Sequence, residues 1–68
     1  MKIGDKFTLT SDAVENYGSE YANKVFTVSH IAYDKSQHPG YDEGLNGQAL
    51  YDAEELQFSV YDYEVEPE

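Results

Sequence analysis

The sequence predicts a mostly β chain, a small barrel or sandwich of about five strands with one short helical turn after the first strand. Three observations carry this. Lys6 to Thr10 alternates apolar and polar side chains, Lys24 to Tyr33 is dense in β-branched and aromatic residues, and Leu56, Phe58 and Val60 recur at period two.

In the first strand the alternation sets Phe7 and Leu9 on one face and Thr8 and Thr10 on the other. The following "SDAVENYG" places Asp12 three residues before Glu15 and ends at Gly18, a capping-box-like start with a C-cap glycine. One or two helical turns are expected there, leaning Val14 and Tyr17 on the sheet because so short a helix is unstable alone. In "KVFTVSHIAY" Phe26 and Val28 share a face but Ile31 falls on the other, so the strand must bulge or bend near Ser29 and His30. Residues 34–47 read as a long, flexible loop whose turns are set by Pro39 and its glycines. Gln48 to Tyr51 gives a short strand and Asp52 to Glu55 a charged turn. Tyr61, Tyr63 and Val65 then occupy the parity opposite to Leu56, Phe58 and Val60. That switch predicts a bulge, or a single helical turn around Ser59 to Asp62, before a final strand. Residues 66–68 are expected to fray, and residues 1–68 form a single domain with no internal repeat.

The chain has 68 residues and no cysteine. A domain of this size buries only about 60% of the surface its unfolded chain exposes, so the core is small. It is expected to comprise Phe7, Leu9, Val14, Val25, Phe26, Val28, Ile31, Leu45, Leu50, Leu56, Phe58, Val60 and Val65. Seven tyrosines add amphipathic area. Absence of cysteine removes disulfides and thiolate zinc, which fits a reducing compartment, and a cytoplasmic location is the expectation. No apolar run approaches the roughly 20 residues of a membrane span, and the N-terminus lacks the basic and apolar regions of a signal peptide.

Residues 3–10, Ile3-Gly-Asp-Lys-Phe-Thr-Leu-Thr10, resemble the first strand of SH3-like small β-barrels, in which a Gly-Asp turn precedes an alternating strand. The resemblance extends loosely to the long second strand and to the closing "FSVYDYEVEPE", and implies an SH3-like barrel, KOW- or Tudor-like in shape. In size and style the chain is also similar to short uncharacterised proteins of tailed phages and cyanobacteria. Members that bind nucleic acid do so through basic loops, whereas the loops here are acidic; the motifs with which SH3 domains grip proline-rich peptides are not evident. The likeness speaks to fold rather than to activity.

The net charge is −10, from fourteen acids against four lysines and no arginine. Such a charge opposes approach to phosphate backbones and anionic lipids, so neither direct nucleic-acid binding nor membrane binding is expected. The imbalance is concentrated: residues 35–68 carry nine acids and one lysine, residues 1–34 five acids and three lysines. In the acidic half, carboxylates alternate with tyrosines, which suits a basic protein surface as partner. The expected interaction surface is Tyr41, Tyr51, Asp52, Glu54, Glu55, Tyr61, Asp62, Tyr63, Glu64 and Glu66, with no cofactor.

Chemical alternatives are weaker. Aligned to an EF-hand loop from Asp42, Asn46 and Gly47 fit positions five and six, but Gly44 stands at position three and Ala53 at position twelve. His38 with Asp42 and Glu43 offers one nitrogen and two oxygens, a thin transition-metal set. A Ser-His-Asp set can be drawn from Ser29 or Ser36 with His38, yet no nucleophile elbow or phosphate loop surrounds it. The expectation is a non-catalytic, acidic protein-interaction module. The alternative is a phage-type mimic whose carboxylates take the places of phosphates and so inhibit a nucleic-acid-binding enzyme; a calcium-responsive domain ranks third.

Overall fold

In the computed structural model, which describes residues 1–68, five antiparallel strands form one sheet. They are β1 (Lys6–Leu9), β2 (Phe26–Ala32), β3 (Leu50–Ala53), β4 (Val60–Tyr61) and β5 (Val65–Pro67). One α-helix, α1 (Ser11–Tyr17), follows β1, so the mostly β architecture matches the sequence. The strand order is β4-β3-β2-β1-β5, which puts the last two strands of the chain at opposite edges. A single 3₁₀ turn, Asp62–Glu64, joins them.

Phe7 and Leu9 point into the core as their alternation predicts, Phe7 completely buried. Phe7 pairs with Phe26 across the β1/β2 ladder, and their rings lie 5.6 Å apart. Burying such a side chain stabilises by roughly 1.5–3 kcal/mol. β2 carries a register shift between Val28 and His30, at the position the broken alternation requires. Beyond the bulge the inward residue is Ala32, and Ile31 is only partly buried.

Several local expectations are corrected. The N-cap of α1 is Thr10 rather than Asp12: its side chain accepts from the Ala13 N–H at 3.2 Å, two residues earlier than the capping-box reading. Gly18 does end the helix, at φ 133°, where a Cβ would be strained. Val14 and Tyr17 do pack against the core as expected, but the helix's buried residue is Ala13 and Val14 is only partly buried. Val25, counted in the core, is 46% exposed. β3 runs two residues further than its predicted end, carrying Asp52 and Ala53 into the ladder with β2. Leu56 and Phe58 lie outside any strand, and β4 has only two residues. Residues 66 and 67, expected to fray, pair with Thr8 and Phe7. No helix is long and apolar enough to cross a membrane.

The 34–47 segment is pinned rather than loose. Tyr41 drops into a second small core with Ala32 and Leu50, and its hydroxyl lies 2.6 Å from the carbonyls of both Leu45 and Gln48. Burial raises its pKa, as does neighbouring Tyr61. One buried aromatic thus anchors the middle of the segment.

Candidate functional site

The ten residues expected to form one surface divide into three groups. Tyr41, Tyr51 and Glu64 are buried and present nothing outward. Tyr51 sits on β3, an inner strand of the sheet, 6.3 Å from the Phe7 ring, with its hydroxyl donating to Asp62 Oδ1 at 2.7 Å. Glu64 is held inside by hydrogen bonds: the Tyr17 hydroxyl donates to Oε2 (2.9 Å) and the Tyr61 N–H to Oε1 (2.8 Å). Burial and the Glu64 carboxylate hold the Tyr17 phenol well above its ordinary range.

A second group is exposed or half-buried but engaged. Glu55 accepts from the Thr27 N–H (2.8 Å) and the Thr27 hydroxyl (3.0 Å), while Lys6 Nζ donates to the same hydroxyl oxygen (2.7 Å). The Thr27 N–H lowers its pKa, with the Lys6 charge contributing less. Glu55 is a clasp between the turn after β3 and the middle of the sheet. Asp52 accepts from the Ser59 hydroxyl and lies 3.5 Å from His38 Nε2.

The third group faces solvent. Tyr63 is 62% exposed and stacks on Tyr61, ring centroids 5.9 Å apart and planes 7° from parallel. Tyr61 in turn meets the buried Tyr41 edge to face at 5.6 Å, and its hydroxyl accepts from the Asp42 N–H at 2.8 Å. The pair is thus anchored at its inner ring and free at its outer one. Partial desolvation raises the Tyr63 pKa, followed by the nearby charge of Glu64, the phenol of Tyr61 and the charge of Asp42. Asp62 is exposed on the same 3₁₀ turn. Glu54 and Glu66 are exposed elsewhere, Glu54 beside Thr27 and Glu66 opposite Thr8 on β5. The tyrosines and carboxylates grouped at this end of the sheet are therefore Tyr61, Tyr63, Asp62 and Asp42; Asp42 entered the sequence reading only as a metal ligand. In its loop Asp42 Oδ1 accepts from the Gly44 N–H (2.9 Å) and Glu43 pairs with Lys35 (3.7 Å), so the two carboxylates serve different partners.

The structure also builds a serine, histidine and aspartate cluster that the sequence assembled with the wrong serine. Ser59, just before β4, lies 3.0 Å from His38 Nε2 and donates to Asp52. The Gly40 N–H donates to His38 Nδ1 at 3.0 Å, which places the neutral imidazole's proton on Nε2. Nε2–H then donates to Ser59 Oγ, and Ser59 to Asp52. A nucleophilic triad needs the reverse, Nε2 accepting from the serine and Nδ1–H donating to the acid. The chain of bonds fixes the loop against β3 and β4 and leaves the hydroxyl unactivated. Nothing in residue spacing could have chosen Ser59, because loop and strand meet only through the sheet.

A small mostly β chain with an acidic, tyrosine-bearing edge is the class these observations define. Comparison with protein-family models, curated proteins and solved structures gives no match to any of them.

Proposed function

We propose that this chain is a non-catalytic interaction module, a small SH3-like barrel whose face of Tyr61, Tyr63, Asp42 and Asp62 docks a basic segment of a partner protein. The observation that carries the reading is the stacked pair: Tyr63 is 62% exposed and parallel to Tyr61 in a chain of net charge −10. A phenol ring held open to water among carboxylates attracts cations both through its π-face and through the neighbouring charges. Acidic charge alone would serve a nucleic-acid mimic equally well; the aromatic centre favours the module. The polarity of the His38 and Ser59 hydrogen bonds supports a role without catalysis.

Titration with a short peptide of mixed arginine and lysine, followed by amide spectra, tests the reading. Binding should perturb residues 61–63 and Asp42, and Tyr63→Ala should weaken it by about tenfold, the scale of an aromatic anchor. Asp42→Asn with Asp62→Asn keeps the acceptor oxygens that bond Gly44 and Tyr51, and should weaken binding further. Equal affinity for wild type and Tyr63→Ala would sink the proposal. A steep loss with salt, together with displacement of duplex DNA from a nucleic-acid-binding protein, would support the mimic instead.

A further inference from the structure

Tyr61 has a second neighbourhood. On the side where β4 meets the 34–47 segment, an open pocket of about 490 Å³ is lined by Leu56, Phe58 and Tyr61 together with His38, Asp52 and Ser59. We propose that this pocket receives the guanidinium of an arginine side chain, with Asp52 as its counter-ion and the aromatic wall as its stacking surface. The proposal rests on the reading of the adjoining tyrosine face as a dock for a basic partner, and deepens it by naming the side chain that enters.

Charge is the first argument. Asp52 Oδ1 is occupied by the Ser59 hydroxyl, but no hydrogen bond within the chain reaches Oδ2, and the side chain is 32% exposed. The chain has no arginine, and the salt bridges it forms are Lys35 with Glu43 and His38 with Asp52, so no lysine neutralises the pocket. Asp52 thus lines the pocket with one carboxylate oxygen that has no partner within the chain, beside the apolar side chains of Leu56 and Phe58.

Rigidity is the second. Phe58 stacks on Tyr17 at 4.4 Å and meets Tyr21 edge to face at 5.3 Å. Ser59 and His38 fix Asp52. The walls are set before a ligand arrives, which reduces the ordering cost of binding. A guanidinium suits this shape better than an ammonium: its plane lies on a ring while an edge N–H donates to the carboxylate, and it is the more weakly hydrated cation.

The test is an amide titration of the whole chain with the tripeptide Gly-Arg-Gly, beside Gly-Lys-Gly and the neutral isostere Gly-citrulline-Gly. The arginine peptide should shift Asp52, Ser59 and Tyr61, bind at least about fivefold tighter than the lysine peptide, and the citrulline peptide should leave these residues unmoved. Asp52→Asn preserves the acceptor for Ser59 and should cost about tenfold in arginine affinity. Shifts confined to residues other than those lining the pocket, equal binding of the lysine or citrulline peptide, or an unaltered affinity in Asp52→Asn would each overturn the assignment; the first two need no variant. The two proposals separate cleanly. If Tyr63→Ala weakens the long basic peptide while Asp52→Asn does not, the docking face stands and the pocket falls. If Gly-Arg-Gly still binds through Asp52 while Tyr63→Ala leaves the long peptide unaffected, the pocket stands and the face falls.

Discussion

Tyr51 and Tyr63 are the same side chain used in opposite ways. Tyr51 lies on β3, hydrogen-bonded to β2 on one side and β4 on the other, and is 2% exposed. Tyr63 lies on the 3₁₀ turn between the two edge strands and is 62% exposed. Depth in the sheet, rather than residue type, decides which tyrosine supports the fold and which is available to a partner. The sharpest way to break the comparison is to cut the inner region. Phe7→Ala, which removes the ring against both Phe26 and Tyr51, should cost about 3–5 kcal/mol. A chain of this length has total stability on the order of 3–10 kcal/mol. Urea denaturation followed by circular dichroism should therefore find this variant largely unfolded or with its midpoint moved far down.

Asp62 and Glu64 repeat the contrast within one turn. Asp62 is exposed and accepts one hydrogen bond from Tyr51, whereas Glu64 is 8% exposed and accepts from the Tyr17 hydroxyl and the Tyr61 N–H. Glu64→Ala leaves two donors short of a partner and should destabilise by about 1–3 kcal/mol. A double-mutant cycle with Tyr17→Phe should return a coupling of at least about 0.5 kcal/mol. Additive losses in that cycle would mean that the buried carboxylate does not act through Tyr17.

This division explains how much could be read from the residues. Period-two alternation located β1, and its failure after Val28 located the bulge in β2, because a one-residue slip would turn Ile31 and Ala32 to the wrong faces. Turn chemistry found the end of α1 at Gly18. The interaction surface was harder. Acids alternate with Tyr61, Tyr63 and Val65 along residues 61–66, and an alternating pattern has no marker for which parity faces the core when a 3₁₀ turn interrupts the strand. Tyr41 was misread for a related reason: inside a loop rich in glycine and acid, only the distant partners Ala32 and Leu50 reveal that it is buried. The His38, Asp52 and Ser59 cluster joins a loop, β3 and β4, and local spacing carries no signal for it.

The buried phenols and the clasped carboxylate make the same distinction at the two ends of the pH scale. Burial first, then the hydrogen bond to Asp62, raises the Tyr51 pKa, and burial with Glu64 does the same for Tyr17. A phenol whose pKa is higher folded than unfolded contributes stability that is complete below the unfolded value, about 10. That contribution is lost as pH rises beyond it, so the unfolding midpoint should fall in alkali, and Tyr51→Phe should show a smaller fall than wild type. For Glu55 the sign reverses: its folded pKa is lowered, so its contribution is present above the ordinary glutamate value, about 4.3. It is lost as pH drops through the folded value. Melting temperatures recorded from neutral to acid pH should therefore differ between wild type and Glu55→Gln at neutral pH and converge in acid.

The smallest expected change in stability completes the comparison. Tyr63 makes its ring contact with Tyr61 alone, and the side chain forms no hydrogen bond. Tyr63→Ala should shift stability by no more than about 0.5 kcal/mol, as exposed substitutions away from the core do. The same variant should weaken the basic peptide by about tenfold. The two measurements together carry the inference: a residue that costs little to remove from the fold and much to remove from the complex is placed for a partner. A loss of stability as large as that of Glu64→Ala would put Tyr63 in the supporting set with Tyr51, and the difference between the two tyrosines would then be one of exposure without one of use.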